Sequence, residues 1–187
     1  MFSSSGSMCL LVLLGVALAA SCPVQYVSDN LKKIHGLVAD ELALRGPDVG
    51  ARPLFSRVIK SINTSCQRVE NLQLVNATLD VYMRIFSSIL QQDGQQQQQH
   101  HAGRTGTLLE QLPDSQRSKV ESAVTKMQQK MEAVKNHLRP QNHNRDDVFQ
   151  ELSEINKKVD EPTVQKKALA EFIEVFQMAS VIGSHHC

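Results

Sequence analysis

The groups with the means to do chemistry are His35, His100, His101, His137, His143, His185 and His186, four cysteines, and acid pairs such as Asp146 and Asp147. A cysteine nucleophile needs a histidine placed to take its proton. By pattern these histidines fall mostly in loops or on helix surfaces. Asp146-Asp147 stands where a helix begins, which explains the two acids better than an acid/base pair does. GxSxG, HExxH, P-loop and GxGxxG motifs are absent. His100-His101 lies in a glutamine-rich tract and reads as solvated rather than metal-bound, and the cysteine spacing fits no zinc pattern. The expectation is a non-enzyme with no metal and no cofactor.

The chemistry that remains is modification. Asn63-Thr64-Ser65 and Asn76-Ala77-Thr78 match the glycosylation sequon. They matter only in a secreted chain, and the amino terminus supplies that context. Met8 to Ala20 is an uncharged apolar run of thirteen residues, shorter than the roughly 20 that span a bilayer. It suits the apolar region of a signal peptide, with small residues at Ala17, Ala19, Ala20 and Ser21 for cleavage. The n-region lacks Lys and Arg. Residues 1–21 are thus read as a signal and 22–187 as the mature, extracellular domain. Both asparagines should then face water. Cys9 leaves with the signal. Cys22, Cys66 and Cys187 form an odd set in an oxidising compartment, so one thiol is spare or an intermolecular bridge forms.

Length and composition narrow the class. The 187 residues carry 20 Lys+Arg against 19 Asp+Glu. That balance argues against a nucleic-acid binder. Nine Gly and six Pro are too few for many hairpins, and with no Trp and few aromatics the core should be mostly aliphatic.

Helices must position whatever acts here. Val27, Leu31, Ile34, Val38 and Leu42 share one helix face. Ser28 or Asp29 suits its cap, and Gly46-Pro47 should stop it. Gly46 to Pro53 reads as a structured loop, followed by a short helix over Leu54 to Ile62. Leu72, Val75, Leu79, Tyr82, Phe86 and Ile89 form a stripe, with a second through Leu74, Val81 and Ile85, so this helix should be central. Residues 91–107 interrupt the pattern with a glutamine-rich tract that reads as a flexible surface loop. Val120, Val124, Met127, Met131, Val134 and Leu138 mark the next helix, whose other face carries Arg117, Lys119, Lys126, Lys130, Lys135 and Arg139. That charge reads first as a solvated face and second as a weak site for sulfated glycans. Val148, Leu152, Ile155 and Val159 mark another helix. The last begins near Pro162 and should end at Gly183. It is apolar over more surface than an edge helix needs, so part of it should meet another chain. A secreted, all-α, six-helix regulator leads. An amphipathic-helix lipid-binding carrier is the alternative, though tandem repeats are lacking, and a structural or inhibitory module is a third class.

The last helix is specific enough to name a resemblance. Val164, Gln165, Lys167, Ala168, Glu171, Phe172 and Val175 occupy all seven defined positions of a twelve-residue pattern associated with type II interferon. Tyr26-Val27 with Asn30 to Lys33 resembles that family's first helix. Leu54-Phe55 with Ile59-Lys60 resembles its second, Tyr82 with Arg84 to Phe86 its central helix, and Arg145 to Asp147 the start of its fifth. The resemblance implies a six-helix cytokine fold and an intertwined homodimer with helices exchanged between chains. It also implies binding to interferon gamma receptor chains and JAK–STAT signalling for antiviral defence, macrophage activation and immune regulation. The receptor surface it implies runs from Lys32 to Phe55, with Arg45, Gly46, Asp48 and Arg52 in the loop. No Lys or Arg follows Lys167. The family's basic tail is therefore missing, which argues against the sulfated-glycan binding attributed to that tail. This departure and the glutamine-rich insertion point to the tail-less, interferon-gamma-related form of non-mammalian vertebrates.

Overall fold

The computed structural model describes residues 27–51, 53–62, 69–90, 108–138 and 147–184. The signal segment, the three mature cysteines, Arg52, Asn63 and the glutamine-rich tract lie outside these. Among the described residues there are seven helices and no strand: α1 (Asp29–Glu41), α2 (Pro47–Gly50), α3 (Ser56–Ser61), α4 (Val69–Leu90), α5 (Asp114–His137), α6 (Asp147–Lys157) and α7 (Pro162–Ser184). The all-α expectation holds. No helix among the described residues is long and apolar enough to cross a membrane.

The helix starts follow from local chemistry. Ser28 caps α1 by accepting the Leu31 N–H at 3.2 Å, which satisfies one of the donors a helix start leaves open. Gly46-Pro47 does not stop α1, as the sequence suggests. The helix ends earlier, where Ala43 turns into the left-handed region at φ 52°. The Leu44 N–H then reaches back to the Ala39 carbonyl and the Ala43 N–H to that of Asp40, the Schellman arrangement usually built on glycine. Gly46-Pro47 instead opens α2, with Pro47 in the first turn where its missing N–H costs nothing. The expected loop is therefore one helical turn. The last helix is described to Ser184, one residue past Gly183. At Gly183 a methyl would approach Leu138 Cδ2 to 3.1 Å.

α7 packs against α1, α2, α4 and α5, while α4 packs against α5, α6 and α7. Val164, Ala168, Leu169, Phe172, Val175, Phe176, Met178 and Ala179 of α7 are buried within this single chain. The centre is thus shared by α4 and α7 rather than held by α4 alone. The apolar surface of α7 that looked surplus is covered by the chain's own helices. Few aromatics are present, yet five form one continuous run through the core. Phe55 stacks on Tyr82 at 4.7 Å, Tyr82 meets Phe86 at 6.1 Å, Phe86 meets Phe172 at 6.0 Å edge-on, and Phe172 meets Phe176 at 5.6 Å. These separations fall in the range where ring pairs add stability beyond their buried area.

Candidate receptor-binding surface

The segment from α1 through α2 to α3 carries the residues the resemblance selects. Lys32 is exposed on α1 and lies 3.6 Å from Asp29. Arg45 is exposed past the far end of the same helix and pairs with Asp40 at 3.2 Å. Surface pairs of this kind contribute little and leave both charges available to a partner. Asp48 is exposed in α2, and Gly46 is half-buried at its start. Twelve residues separate Lys32 from Arg45, the first nine of them in α1, a 13-residue helix about 20 Å long. The structure therefore sets these groups along a strip and does not gather them in one cluster. Phe55 does not belong to that strip. It is 0% exposed and stacked on Tyr82, so it anchors the segment from beneath and offers nothing to a receptor.

What holds the strip in place comes from α7. The Leu54 and Phe55 N–H groups donate to the two carboxylate oxygens of Glu171, at 2.5 and 2.8 Å. Phe55 opens α3, a six-residue helix with no side-chain cap of its own. Glu171 satisfies donors there that would otherwise be orphaned. Burial pushes the Glu171 carboxyl above the ordinary carboxylate range and the Glu174 charge adds to this. The two N–H bonds and Lys167 pull it back. From α1, His35 donates through Nε2 to the Leu169 carbonyl at 2.9 Å and stacks with Phe172 at 6.2 Å. A carbonyl can only accept, so the ring carries its hydrogen on Nε2. Burial lowers the His35 pKa, the backbone bond raises it in part, and Arg45 lowers it further. The Tyr82 hydroxyl donates to the Ala168 carbonyl at 3.0 Å. Burial pushes its pKa well up, with the Glu171 and Glu174 charges adding, and so the phenol stays neutral.

Gln165 performs the matching task at the start of α7. It is 2% exposed. Its Nε2 donates to Ser88 Oγ at 2.9 Å and to the Val159 carbonyl at 3.0 Å, while Ser88 Oγ donates to Asp160 Oδ1 at 2.7 Å. This network ties the α6–α7 turn to α4. Of the seven residues in the α7 pattern, Gln165 and Glu171 hold neighbouring segments by hydrogen bonds. Val164, Ala168, Phe172 and Val175 fill the core, and Lys167 is half-buried beside Glu171. The pattern thus describes how α7 is seated. It does not describe an exposed site.

Sequence reasoning places His35 among surface histidines and gives Glu171 only as a position of the interferon-like pattern, with no partner. Their partners lie 134 and 116 residues away, beyond any local signal. The hints are the place of Glu171 in that pattern and a carboxylate set between Ala170 and Phe172 on an apolar helix. Asn76 also departs from expectation. It is half-buried, and its Nδ2, the atom a glycan would take, is enclosed and has no hydrogen-bond partner. Among the described residues no group of three or more His, Cys, Asp or Glu is placed to hold a metal ion. No protein-family model, curated protein or solved structure matches the chain.

Proposed function

We propose that this chain is a secreted, type II interferon-like cytokine. It engages interferon gamma receptor chains through the strip from Lys32 to Asp48 and triggers JAK–STAT signalling for antiviral defence and macrophage activation. The observation that carries the reading is the seating of α1–α3. Residues of the interferon-like pattern on α7 position this segment, with Glu171 holding residues 54 and 55 and Phe172 lying under His35. A rigid scaffold that presents exposed charges on short connections is how binding surfaces are commonly built. The proposed assembly is a two-fold homodimer that exchanges α6 and α7 between chains, a low-cost route to such a dimer.

The test is STAT phosphorylation in leukocytes of the source species, together with receptor binding measured by surface plasmon resonance. The natural chain should give both. Reversing Arg45→Glu and Asp48→Lys together should weaken binding tenfold or more, since each loses a desolvated charge contact of about 1–2 kcal/mol. The circular dichroism spectrum should not change. Full binding by the double variant would reject the strip. Absent phosphorylation with recovery of the chain in floated liposomes would favour a lipid carrier instead.

A further inference from the structure

We propose that α5 carries a binding site for a sulfated glycan, built on Lys119, Lys126 and Lys130 and separate from the receptor-facing strip. The proposal takes the extracellular setting as its premise and needs no receptor.

The structure divides the basic residues of α5 that look alike in the sequence. Arg117 is spent within the chain: its guanidinium donates to the Leu109 and Leu112 carbonyls at 3.1 and 3.4 Å and lies 3.5 Å from Asp114. Lys135 is paired with Asp80 of α4. Lys119, Lys126 and Lys130 are exposed and form no ion pair with the described residues. At about 100° per residue, these three fall within about 40° of one another, on a line about 16 Å long. Lys135 lies about 160° around the helix from Lys119, on the flank that meets α4. Asp114, Glu121 and Glu132 are the acids of α5, and each lies about 140° or more from the line. The helix thus sorts its charge. One face is cationic with nothing on α5 to offset it, in a chain whose charges otherwise nearly cancel. Neighbouring lysines on the line are about 6 and about 10 Å apart along the axis, close enough to act together on one polyanion at physiological salt.

Charge alone suits any polyanion, and the rest of the helix selects among them. Ser115, Ser122, Gln129 and Ala133 are exposed on and beside the same face. Hydroxyl and amide groups can bond to sugar hydroxyls and sulfate oxygens. No apolar side chain larger than alanine is exposed on α5, so this helix lacks the apolar face with which a membrane-surface helix enters a bilayer. It has no Phe, Tyr or Trp on which a base of single-stranded nucleic acid could stack. The opposite side of α5 is held in the core by Val120, Val124, Met127 and Met131, so the three lysines stand on a fixed rod. Binding then orders only their side chains. A linear chain with repeated sulfates is the partner that fits.

The experiment measures binding of the full mature chain to immobilised heparin by surface plasmon resonance, at about 0.05 M and about 0.15 M salt. The natural chain should bind and should weaken as salt rises. Lys119→Gln, Lys126→Gln and Lys130→Gln together should weaken binding about tenfold or more at the lower salt and flatten its salt dependence. Lys126→Glu alone, at the middle of the line, should cost about tenfold and stands in for the triple if that does not fold. A second triple, Lys60→Gln, Arg84→Gln and Lys158→Gln, removes the same charge from three other exposed positions and should stay within about twofold of the natural chain. Desulfated heparin should not compete. Equal loss in the two triples would mean that net charge acts and the line does not, which overturns the site. So would an unchanged Lys126→Glu, or no heparin binding by the natural chain at the lower salt. Competition by single-stranded DNA or phosphatidylserine vesicles as strong as that by heparin, at equal charge, would overturn the choice of a glycan. Receptor binding enters none of these arms, so the site and the cytokine reading stand or fall separately.

Discussion

His35 of α1 grips α7 at the Leu169 carbonyl, two residues before Glu171, and burial moves the pKa values of His35 and Glu171 in opposite directions. Burial lowers the His35 pKa below its usual 6.5, so the unfolded chain takes up its proton first. The stability linked to His35 is present above that value and lost as pH falls through the folded pKa. The thermal midpoint should drop between about pH 7 and pH 5, and His35→Gln, which keeps a donor for the Leu169 carbonyl but cannot titrate, should flatten the drop. An unchanged slope would show that His35 does not carry it. At Asn76 the enclosed Nδ2 makes a different prediction. A glycan added there during synthesis would hold the side chain out of the core, so occupied chains should not reach this fold. In secreted protein, Asn63→Gln should abolish the glycan-dependent mobility shift and Asn76→Gln should leave it intact. Loss of the shift in Asn76→Gln alone would reverse the assignment. The sequon is visible in the sequence and its enclosure is not, because burial depends on which helix comes to lie beside α4.

Among the elements, α1 shows how a helix can be legible while its end is not. The spacing of Leu31, Ile34, Val38 and Leu42 gives the buried face correctly, and Ser28 provides the cap. Gly46-Pro47 is the obvious stop signal, yet the chain turns at Ala43, where no glycine marks the bend. Burial of Leu44 after the turn explains the choice, since the apolar contact behind a Schellman turn selects where it forms. An L-residue with a Cβ costs about 1–2 kcal/mol in the left-handed region. Glycine relieves this but gives back part of it through the freedom of the unfolded chain. Ala43→Gly should therefore stabilise the protein by about 0.5–1 kcal/mol. The check is a higher denaturation midpoint in urea with an unchanged slope; a lower midpoint would mean that the turn is held by something other than its backbone. The same contrast runs through the later helices. Periodicity finds α4, α5 and α7 because their faces are buried continuously, but Pro47 misleads because its meaning is set by α7, which is distant in sequence.

For the whole molecule, the question is where a second chain would attach. The doubly apolar character of α7 suggested a partner, but α1, α2, α4 and α5 cover that surface within one chain. Leu37, at 38%, is the only exposed large hydrophobic residue among those described. Two closed chains thus have little apolar surface with which to dock, and stable homodimer interfaces are more apolar than ordinary surface. The proposed dimer can reach such an interface by exchange, in which α6 and α7 leave their own chain and remake the Phe86–Phe172, Tyr82–Ala168 and Gln165–Ser88 contacts on its partner. The nine residues 138–146 between α5 and α6 are the span that must cross. Opening either form breaks the same core, so exchange is as slow as unfolding. Sedimentation at micromolar concentration should show a dimer. Isotope-labelled and unlabelled chains, mixed and followed by native mass spectrometry, should form heterodimers only at the rate of global unfolding. Phe172→Ala removes a fully buried ring at a cost of about 3–5 kcal/mol and should speed that mixing markedly. Rapid mixing in the natural protein would mean a docked surface and reject exchange. A monomer at every concentration would reject the dimer, leaving the α1–α3 strip to meet the proposed receptor one copy at a time.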